Sequence, residues 1–175
     1  MEISRELIRV LKKITAIFKD NDITFCLAGG LAVSIISRPR ATEDIDIVLL
    51  QDKSDRNNIE KLFRDNFEII DIHDEIMMIG GIPVWRIVLK NSNIEEGAVV
   101  IDLMFAENSI LKNTAKNCIS IRIDDTDIPV ARAEDLILIK MNSKRPQDIS
   151  DIEAIREEMK DSLDNEYIDK NKAIE

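Results

Sequence analysis

Two predicted strands joined through a pair of glycines constrain the fold more than any other part of the chain. The stretch 27–49 predicts a buried strand, a turn at Gly29-Gly30, a short apolar helix, and a second strand that begins with Asp44 and Asp46. Alternate residues of a strand point to the same face, so the two carboxylates should project together, about 7 Å apart at their Cα atoms. The isoleucines between and after them then face the core.

This arrangement suggests that a metal and a phosphate bind side by side. Two neighbouring carboxylates repel each other unless a positive charge lies between them, and a divalent cation is the simplest candidate. The glycine turn leaves backbone N–H groups free at the start of a helix, where phosphate is favoured. Oxygen-only ligands favour Mg²⁺ or Mn²⁺ over zinc. The alternative is that Asp44 and Asp46 are solvated residues on an exposed strand.

A third carboxylate interrupts a segment that is otherwise suited to burial. Asp102 lies within the apolar run 98–105. A buried carboxylate costs several kcal/mol unless it is paired or metal-bound. Asp102 is therefore expected either to form a salt bridge with an arginine or to be a further metal ligand. Arg86 alternates with apolar neighbours and could share the face of Asp102.

Several basic residues and one threonine are candidates for contact with a phosphate. Lys140 lies among apolar residues of a predicted helix, and a lysine in that position needs an anion unless its amine reaches solvent. The triphosphate of a nucleotide, Asp148 and Asp102 are the candidate anions. Arg40 and its neighbour Arg38 fall between the glycine turn and the carboxylate pair, and Thr42 can cap the turn or hydrogen-bond a phosphate.

These motifs resemble the polymerase-beta-like nucleotidyltransferase superfamily, whose pattern is a Gly-Gly or Gly-Ser turn, a spacer and an Asp-x-Asp pair. The run Arg40-x-Thr42-x-Asp44-x-Asp46 is most similar to the branch of AbiEii-type abortive-infection enzymes. The segment 131–151 resembles the Pro-Glu-Asp-Leu…Lys…Arg-x-Lys-Asp-x-x-Asp segment of that branch, with a glutamine in place of its second basic residue. The residues that match this segment are Lys140, Arg145, Asp148 and Asp151.

The resemblance implies an enzyme that transfers an NMP group from a nucleoside triphosphate to a hydroxyl acceptor and releases pyrophosphate. It implies that Asp44, Asp46 and Asp102 are catalytic and hold two Mg²⁺ ions, or Mn²⁺, about 4 Å apart. Asp102 would also assist deprotonation of the acceptor hydroxyl. The resemblance further implies a set of nucleotide-binding residues: Gly29, Gly30, Arg40, Thr42, Lys140, Arg145 and Asp148.

Two other functions are compatible with the same motifs. One is a non-catalytic member of the fold that binds a nucleotide or a protein partner, and the other is a toxin-type enzyme that acts on RNA ends. The acceptor therefore stays open among a small molecule, a protein and an RNA end, and a cognate antitoxin-like protein is a further candidate partner. The net charge of −10 argues against a protein that coats nucleic acid non-specifically.

The distribution of elements predicts an α+β nucleotidyltransferase fold, with a mixed β-sheet flanked by helices and a C-terminal helical extension. Residues 1–130 are expected to form the core, and 131–175 a helical extension packed on it as one compact unit. Apolar spacing predicts helices over 4–18, 31–37, 54–66, 133–142 and 147–159, with a short last helix through residue 167. The predicted strands are 24–27, 44–50, 67–72, 77–79, 84–90, 98–105, 119–123 and 128–130.

The sequence also predicts a cytoplasmic protein that does not enter a membrane. No apolar run approaches the roughly 20 residues of a bilayer span, and the first residues lack the cationic-then-apolar order of a signal peptide. Cys26 and Cys118 are distant in sequence and lie in or beside apolar runs, so we expect them to be reduced packing residues.

Overall fold

The structure is a computed structural model that describes residues 5–79, 81–90, 97–141, 143 and 145–172. Its strands are β1 Phe25–Ala28, β2 Asp44–Leu49, β3 Ile69–Ile72, β4 Met77–Ile79, β5 Ile82–Lys90, β6 Ala98–Phe105, β7 Ile119–Ile123 and β8 Thr126–Val130. Its α-helices are α1 Arg5–Asp20, α2 Gly29–Ile36, α3 Arg56–Asn66, α4 Ser109–Lys116, α5 Ala133–Met141, α6 Pro146–Met159 and α7 Asn165–Asn171. Short 3₁₀ turns cover Lys53–Asp55 and Lys160–Ser162.

The strands of the described residues form one mixed sheet. Its order is β3-β5-β6-β2-β1-β8-β7, and β4 pairs with β5 outside this path. β2 runs antiparallel to β1 and parallel to β6, and β6 runs antiparallel to β5. The register places Ala28, Asp46, Asp102 and Arg86 side by side across these four strands. Directly opposed residues of neighbouring strands project to the same face, so the sheet itself gathers these polar side chains.

One face of the sheet packs on an aromatic cluster. Phe18 of α1 contacts Phe25 edge-to-face, with ring centroids 5.1 Å apart, and Phe63 of α3 in the same manner at 6.1 Å. Because successive residues of a strand alternate, Ala28 and Asp46 project from the other face. That face carries the polar row.

The C-terminal helices share the hydrophobic core of the sheet. Leu136, Ile137, Ile155 and Ile168 belong to the same buried cluster as the strand residues. α7 is held to α5 by polar contacts at a fully buried carboxylate: the Tyr167 hydroxyl donates to Asp135 Oδ1 at 2.8 Å. The division into a core over residues 1–130 and a helical extension over 131–175 stays a prediction.

The fold class predicted from the sequence, a mixed sheet flanked by helices, is confirmed. Helix α4 was missed, although Asn108 is an N-cap residue whose side chain accepts from the Leu111 N–H at 2.8 Å. The last strand begins at Thr126 rather than at 128, because Asp124, with a φ of +53°, allows a tight turn. The predicted ends of helices at residues 4 and 142 lie outside the described residues.

Two further sequence predictions can be compared with the structure. Cys26 is buried, Cys118 is partly buried, and both thiols are free. Among the described helices, none combines the length and apolar character that a bilayer span requires.

Candidate active site

A cleft of about 620 Å³ opens on the polar row of the sheet. Its volume lies within the range of roughly 300–1,000 Å³ that is usual for small-molecule sites. The cleft brings together ten of the residues suggested by the sequence, from four separate parts of the chain. They are Gly29, Gly30, Arg40, Thr42, Asp44, Asp46, Asp102, Lys140, Arg145 and Asp148.

Three carboxylates lie at the centre of this cleft. Asp44, Asp46 and Asp102 each offer an oxygen, and these oxygens lie within 4.8 Å of one another. The parallel register of β2 and β6 sets Asp46 directly beside Asp102, and strand alternation adds Asp44 to the same face. The Thr42 hydroxyl donates to Asp44 Oδ1 at 2.9 Å and orients that side chain.

Asp102 forms a salt bridge in addition to lying in the carboxylate cluster. Arg86, opposite it on β5, donates from Nε to Oδ1 at 2.8 Å and from Nη2 to Oδ2 at 2.6 Å. Such a two-pronged pair fixes the plane of a carboxylate more firmly than a single hydrogen bond does. Of the two alternatives that the sequence left for Asp102, the salt bridge is therefore present. Metal ligation stays a prediction, which the position of Asp102 in the carboxylate cluster supports.

The crowding of carboxylates contributes to a raised pKa of Asp46. Burial raises the pKa of Asp46 to about 7, and the nearby charges of Asp44 and Asp102 act in the same direction. Lys140 and a hydrogen bond from the Gly30 N–H oppose that rise in the pKa without cancelling it. The residues present thus supply less positive charge than the cluster needs, and an all-oxygen donor set of this kind fits Mg²⁺ or Mn²⁺.

Gly29 makes the close approach of Asp46 possible. Its φ is +60°, a region that disfavours other residues, and a Cβ built on it would lie 1.8 Å from Asp46 Oδ2. At Gly30, a Cβ would lie 2.1 Å from Arg40 Nη2 and 3.0 Å from Thr42 Oγ1. The two glycines therefore let a carboxylate and a guanidinium lie directly against the first turn of α2.

Three basic residues of the cleft are held by two buried carboxylates of α6. Lys140 Nζ lies 2.6 Å from Asp148 Oδ1 and 2.8 Å from Asp151 Oδ2. Asp148 also accepts from Arg145 Nε at 2.6 Å, and Asp151 accepts from Arg40 Nη2 at 3.1 Å. Asp148 is one of the anions that the sequence suggested for Lys140, and Asp151 is an additional partner. Contact of Lys140 with a triphosphate stays a prediction.

Some expectations for individual residues need correction, and some residues were missed. Arg38 does not line the cleft; its Nη1 lies 3.6 Å from Glu157 at an exposed position. Asp151 was recognised only as a motif match, not as the partner of two cations. An apolar end of the cleft was missed altogether, because its residues come from three strands whose pairing the sequence does not specify. It is formed by Ile79, Ile82, Val84 and Met104.

Comparison with known proteins gives one match to a family over nearly the whole chain. The model of the family described as "Nucleotidyl transferase AbiEii toxin, Type IV TA system" matches residues 9–173. No curated protein sequence is significantly similar to the chain.

Several solved structures share the fold. An antigenic nucleotidyltransferase-like protein from Paracoccidioides brasiliensis is 18% identical with a TM-score of 0.61, over 87% of this chain and 76% of that chain. The antibiotic-resistance factor ANT(2'')-Ia is 13% identical with a TM-score of 0.59, over 95% and 89%. The lincosamide antibiotic adenylyltransferase LnuA, bound to lincomycin, is 18% identical with a TM-score of 0.51, over 89% and 98%. At such low identities these likenesses establish the fold.

A first prediction concerns the close approach at Gly29. Gly29→Ala should destabilise the protein and displace Asp46, because the new Cβ would overlap that carboxylate. Gly81→Ala is the matched control: it carries the same kind of backbone strain at φ +80°, but its Cβ would meet nothing within 4 Å. Thermal unfolding should show a clearly larger loss at Gly29. Equal losses for the two variants would mean that only backbone strain matters there.

A second prediction follows from the raised pKa of Asp46. The folded state binds a proton at this carboxyl up to about pH 7, whereas the unfolded chain releases it near its ordinary value of 3.8. The metal-free protein should therefore lose stability as pH rises from about 4 to 7, by up to about 1.4 kcal/mol per pH unit from this group. Asp46→Asn should remove this slope and be the more stable protein at pH 8. Denaturant unfolding between pH 5 and 8.5 measures both, and parallel curves for the two proteins would contradict the prediction.

A third prediction concerns the buried amine of Lys140. Lys140→Met should lower the stability of the nucleotide-free protein by about 3–5 kcal/mol, because Asp148 and Asp151 lose their shared cation. Lys90→Met, which removes a lysine 2.7 Å from Glu68 at the surface, is the control and should change stability by less than about 1 kcal/mol. Denaturant melts compare the two. Equal effects would show that the Lys140 pairs are as weak as a surface pair.

Proposed function

We propose, on the premise that this chain belongs to the AbiEii family of nucleotidyltransferases, that it transfers an NMP group from a nucleoside triphosphate to a hydroxyl acceptor and releases pyrophosphate. The observation that carries the proposal is the set of three carboxylates, Asp44, Asp46 and Asp102, with oxygens within 4.8 Å of one another. They lie beside a glycine turn and four cations, so groups suited to metal and to phosphate share one cleft.

The carboxylates would hold one or two Mg²⁺ ions, or Mn²⁺. When bound, the metal neutralises the charge of the triphosphate and lowers the pKa of the acceptor hydroxyl. Asp46 takes the central position, since its register neighbours are Ala28, beside the glycine turn, and Asp102. Thr42 holds Asp44 in place.

The triphosphate would lie over the first turn of α2, where Arg40 covers Gly30. Asp151 holds Arg40 at this turn, with Arg40 Nε 2.9 Å from Asp151 Oδ1 and Nη2 donating to Oδ2 at 3.1 Å. The guanidinium charge fixed in this way would attract a phosphate oxygen. The Arg145 side chain is largely exposed, so its guanidinium can contact the β- or γ-phosphate.

Lys140 has one donor to offer a phosphate while keeping both internal pairs. An ammonium group has three N–H donors, and Asp148 and Asp151 take two of them. Asp148 then acts as a positioning residue that fixes the cations Lys140 and Arg145, rather than touching the nucleotide itself. This refines the role that the family resemblance gave to Asp148.

Asp102 would act on the acceptor side of the transfer. Arg86 fixes both of its oxygens, and the carboxylate keeps lone pairs for the proton of the attacking hydroxyl. A non-catalytic binding protein is disfavoured by this arrangement, because three crowded carboxylates cost stability and serve no purpose without a cation.

The family is described as the toxin of a Type IV toxin–antitoxin system. We therefore include a cognate antitoxin-like protein among the partners and a cytoplasmic location, where nucleoside triphosphates are available, in the proposal. Transfer to an RNA end is the second candidate function, and labelling of an RNA 3′ end by the protein would support it.

A fourth prediction tests the metal site. Asp44→Asn and Asp46→Asn should each weaken Mg²⁺-dependent NTP binding at least tenfold in calorimetry, because each variant loses a ligand and a balancing charge. Asp71→Asn, an exposed carboxylate on β3 outside the cleft, is the charge-matched control. If both cleft variants bind MgATP as tightly as the parent protein, the carboxylates are not a metal site.

Calorimetry, combined with an assay of pyrophosphate release, separates NTP binding from catalysis at Asp102. Asp102→Asn should keep NTP affinity within a few-fold while pyrophosphate release falls by orders of magnitude, since an interaction made in the transition state is lost. Undiminished release would give Asp102 a structural role only.

A further inference from the structure

One end of the cleft is apolar, in contrast to the charged remainder. Four aliphatic side chains of the sheet line it: Ile79 on β4, Ile82 and Val84 on β5, and Met104 on β6. Ile79 lies opposite Ile82, and Val84 lies opposite Met104. They form a continuous apolar patch on the face that carries the carboxylates.

This patch begins directly at the third carboxylate. Along β6, Met104 is two residues from Asp102, and along β5, Val84 is two residues from Arg86, so all four side chains share one face. The apolar patch is therefore the surface that a group held at Asp102 would contact next.

The sheet order separates this patch from the glycine turn. β5 borders β6 on one side, whereas β1, which leads into Gly29 and Gly30, borders β2 on the other. In phosphoryl transfer the attacking and leaving oxygens lie roughly in line on opposite sides of phosphorus. With pyrophosphate leaving over the glycine turn, the attacking hydroxyl must approach from the side of β6 and β5.

We propose that Ile79, Ile82, Val84 and Met104 form an acceptor subsite that binds an uncharged aliphatic group next to the hydroxyl that is nucleotidylated. The inference rests on the proposed function and adds the chemical class of the acceptor. Burial of aliphatic carbon against this patch supplies the binding energy, and Asp102 selects the hydroxyl.

The reaction at this subsite balances without any further reactant. The acceptor oxygen forms a bond to the α-phosphorus, and the bond from that phosphorus to the oxygen bridging to the β-phosphate breaks. Pyrophosphate leaves with the electron pair, and the hydroxyl proton passes through the Asp102 carboxylate to solvent.

The described lining of the cleft differs from that of a site for RNA ends. Single strands are bound by aromatic side chains that stack on bases and by basic grooves that follow the backbone. Among the described residues that line the cleft none is aromatic, and Arg40, Arg86, Lys140 and Arg145 are each paired with a carboxylate. The net charge of −10 also opposes a long phosphate backbone.

A homologous series of alcohols tests the subsite directly. Ethanol, butanol and hexanol are offered with α-labelled ATP and Mg²⁺, and the alkyl adenylate is identified by mass spectrometry. KM should fall about fourfold for each added methylene, and glycerol should be a poor acceptor. A KM that does not depend on chain length, or glycerol matching hexanol, would overturn the proposal.

Two single substitutions test whether the apolar patch causes the dependence of KM on chain length. Ile82→Ser should reduce the dependence to less than twofold per methylene, while the KM for ATP changes less than twofold. Ile70→Ser is the matched control, since Ile70 is an exposed isoleucine of β3 outside the cleft, and it should keep the full dependence. The same loss in both variants would show that the patch is not the binding surface.

Methyl NMR reads the subsite without turnover. In methyl-labelled protein with Mg²⁺ and a non-hydrolysable ATP analogue, hexanol should shift the Met104 signal saturably. Met78, which is exposed and lies outside the cleft lining, should not move. An unmoved Met104, or equal shifts of both methyls, would contradict the proposal whatever the rate of transfer.

Two further acceptors identify the source of the aliphatic group. Preference for a serine peptide flanked by leucines over one flanked by glycines would support a protein acceptor, and hexanol alone would support a small molecule. Efficient labelling of an RNA 3′ end that Ile82→Ser does not affect would overturn the subsite. Absence of Asp46-dependent pyrophosphate release would instead count against the proposed function, so the two failures are distinguishable.

Discussion

The repulsion among three carboxylates on neighbouring strands is the constraint on which the rest of the site depends. Asp44, Asp46 and Asp102 are brought within 4.8 Å of one another by strand register, and register cannot relax without disrupting the sheet. The surrounding residues reduce the cost of this crowding: Arg86 pairs with Asp102, and Thr42 donates to Asp44. They leave Asp46 with a pKa near 7. A divalent cation would complete the balance, which supports the metal site that we propose.

Charges of alternating sign surround the three carboxylates. Around the carboxylate cluster lie cations, and behind those cations lie the buried carboxylates Asp148 and Asp151. Arg40 and Lys140 are thereby fixed before a nucleotide arrives, so little side-chain entropy is lost on binding. The same pairs limit the attraction of the cleft for anions in general, because each cation already has a partner. The site therefore suits a ligand that brings its own metal, such as a magnesium-bound triphosphate.

Local patterns in the sequence were sufficient to predict which carboxylates belong to the candidate site. Alternation placed Asp44 and Asp46 on one face, and the interruption of an apolar segment identified Asp102 as a residue in need of a partner. The opposition of Asp46, Asp102 and Arg86 depends on the pairing of distant strands, which periodicity does not specify. The partners of Lys140 depend on how α5 packs on α6, and the apolar end of the cleft arises only when β4, β5 and β6 lie side by side. Nucleotide and metal contacts of the individual residues stay predictions.

The proposed metal site can be tested by anomalous diffraction from crystals grown with Mn²⁺ and a non-hydrolysable nucleoside triphosphate analogue. We expect a manganese peak at coordination distance, about 2.0–2.3 Å, from oxygens of Asp44 and Asp46, with Asp102 within reach of the same or a second ion. The peak should disappear in Asp46→Asn. A peak located instead at the Asp148 and Asp151 pair, or nucleotide density with no metal at the three carboxylates, would contradict the account.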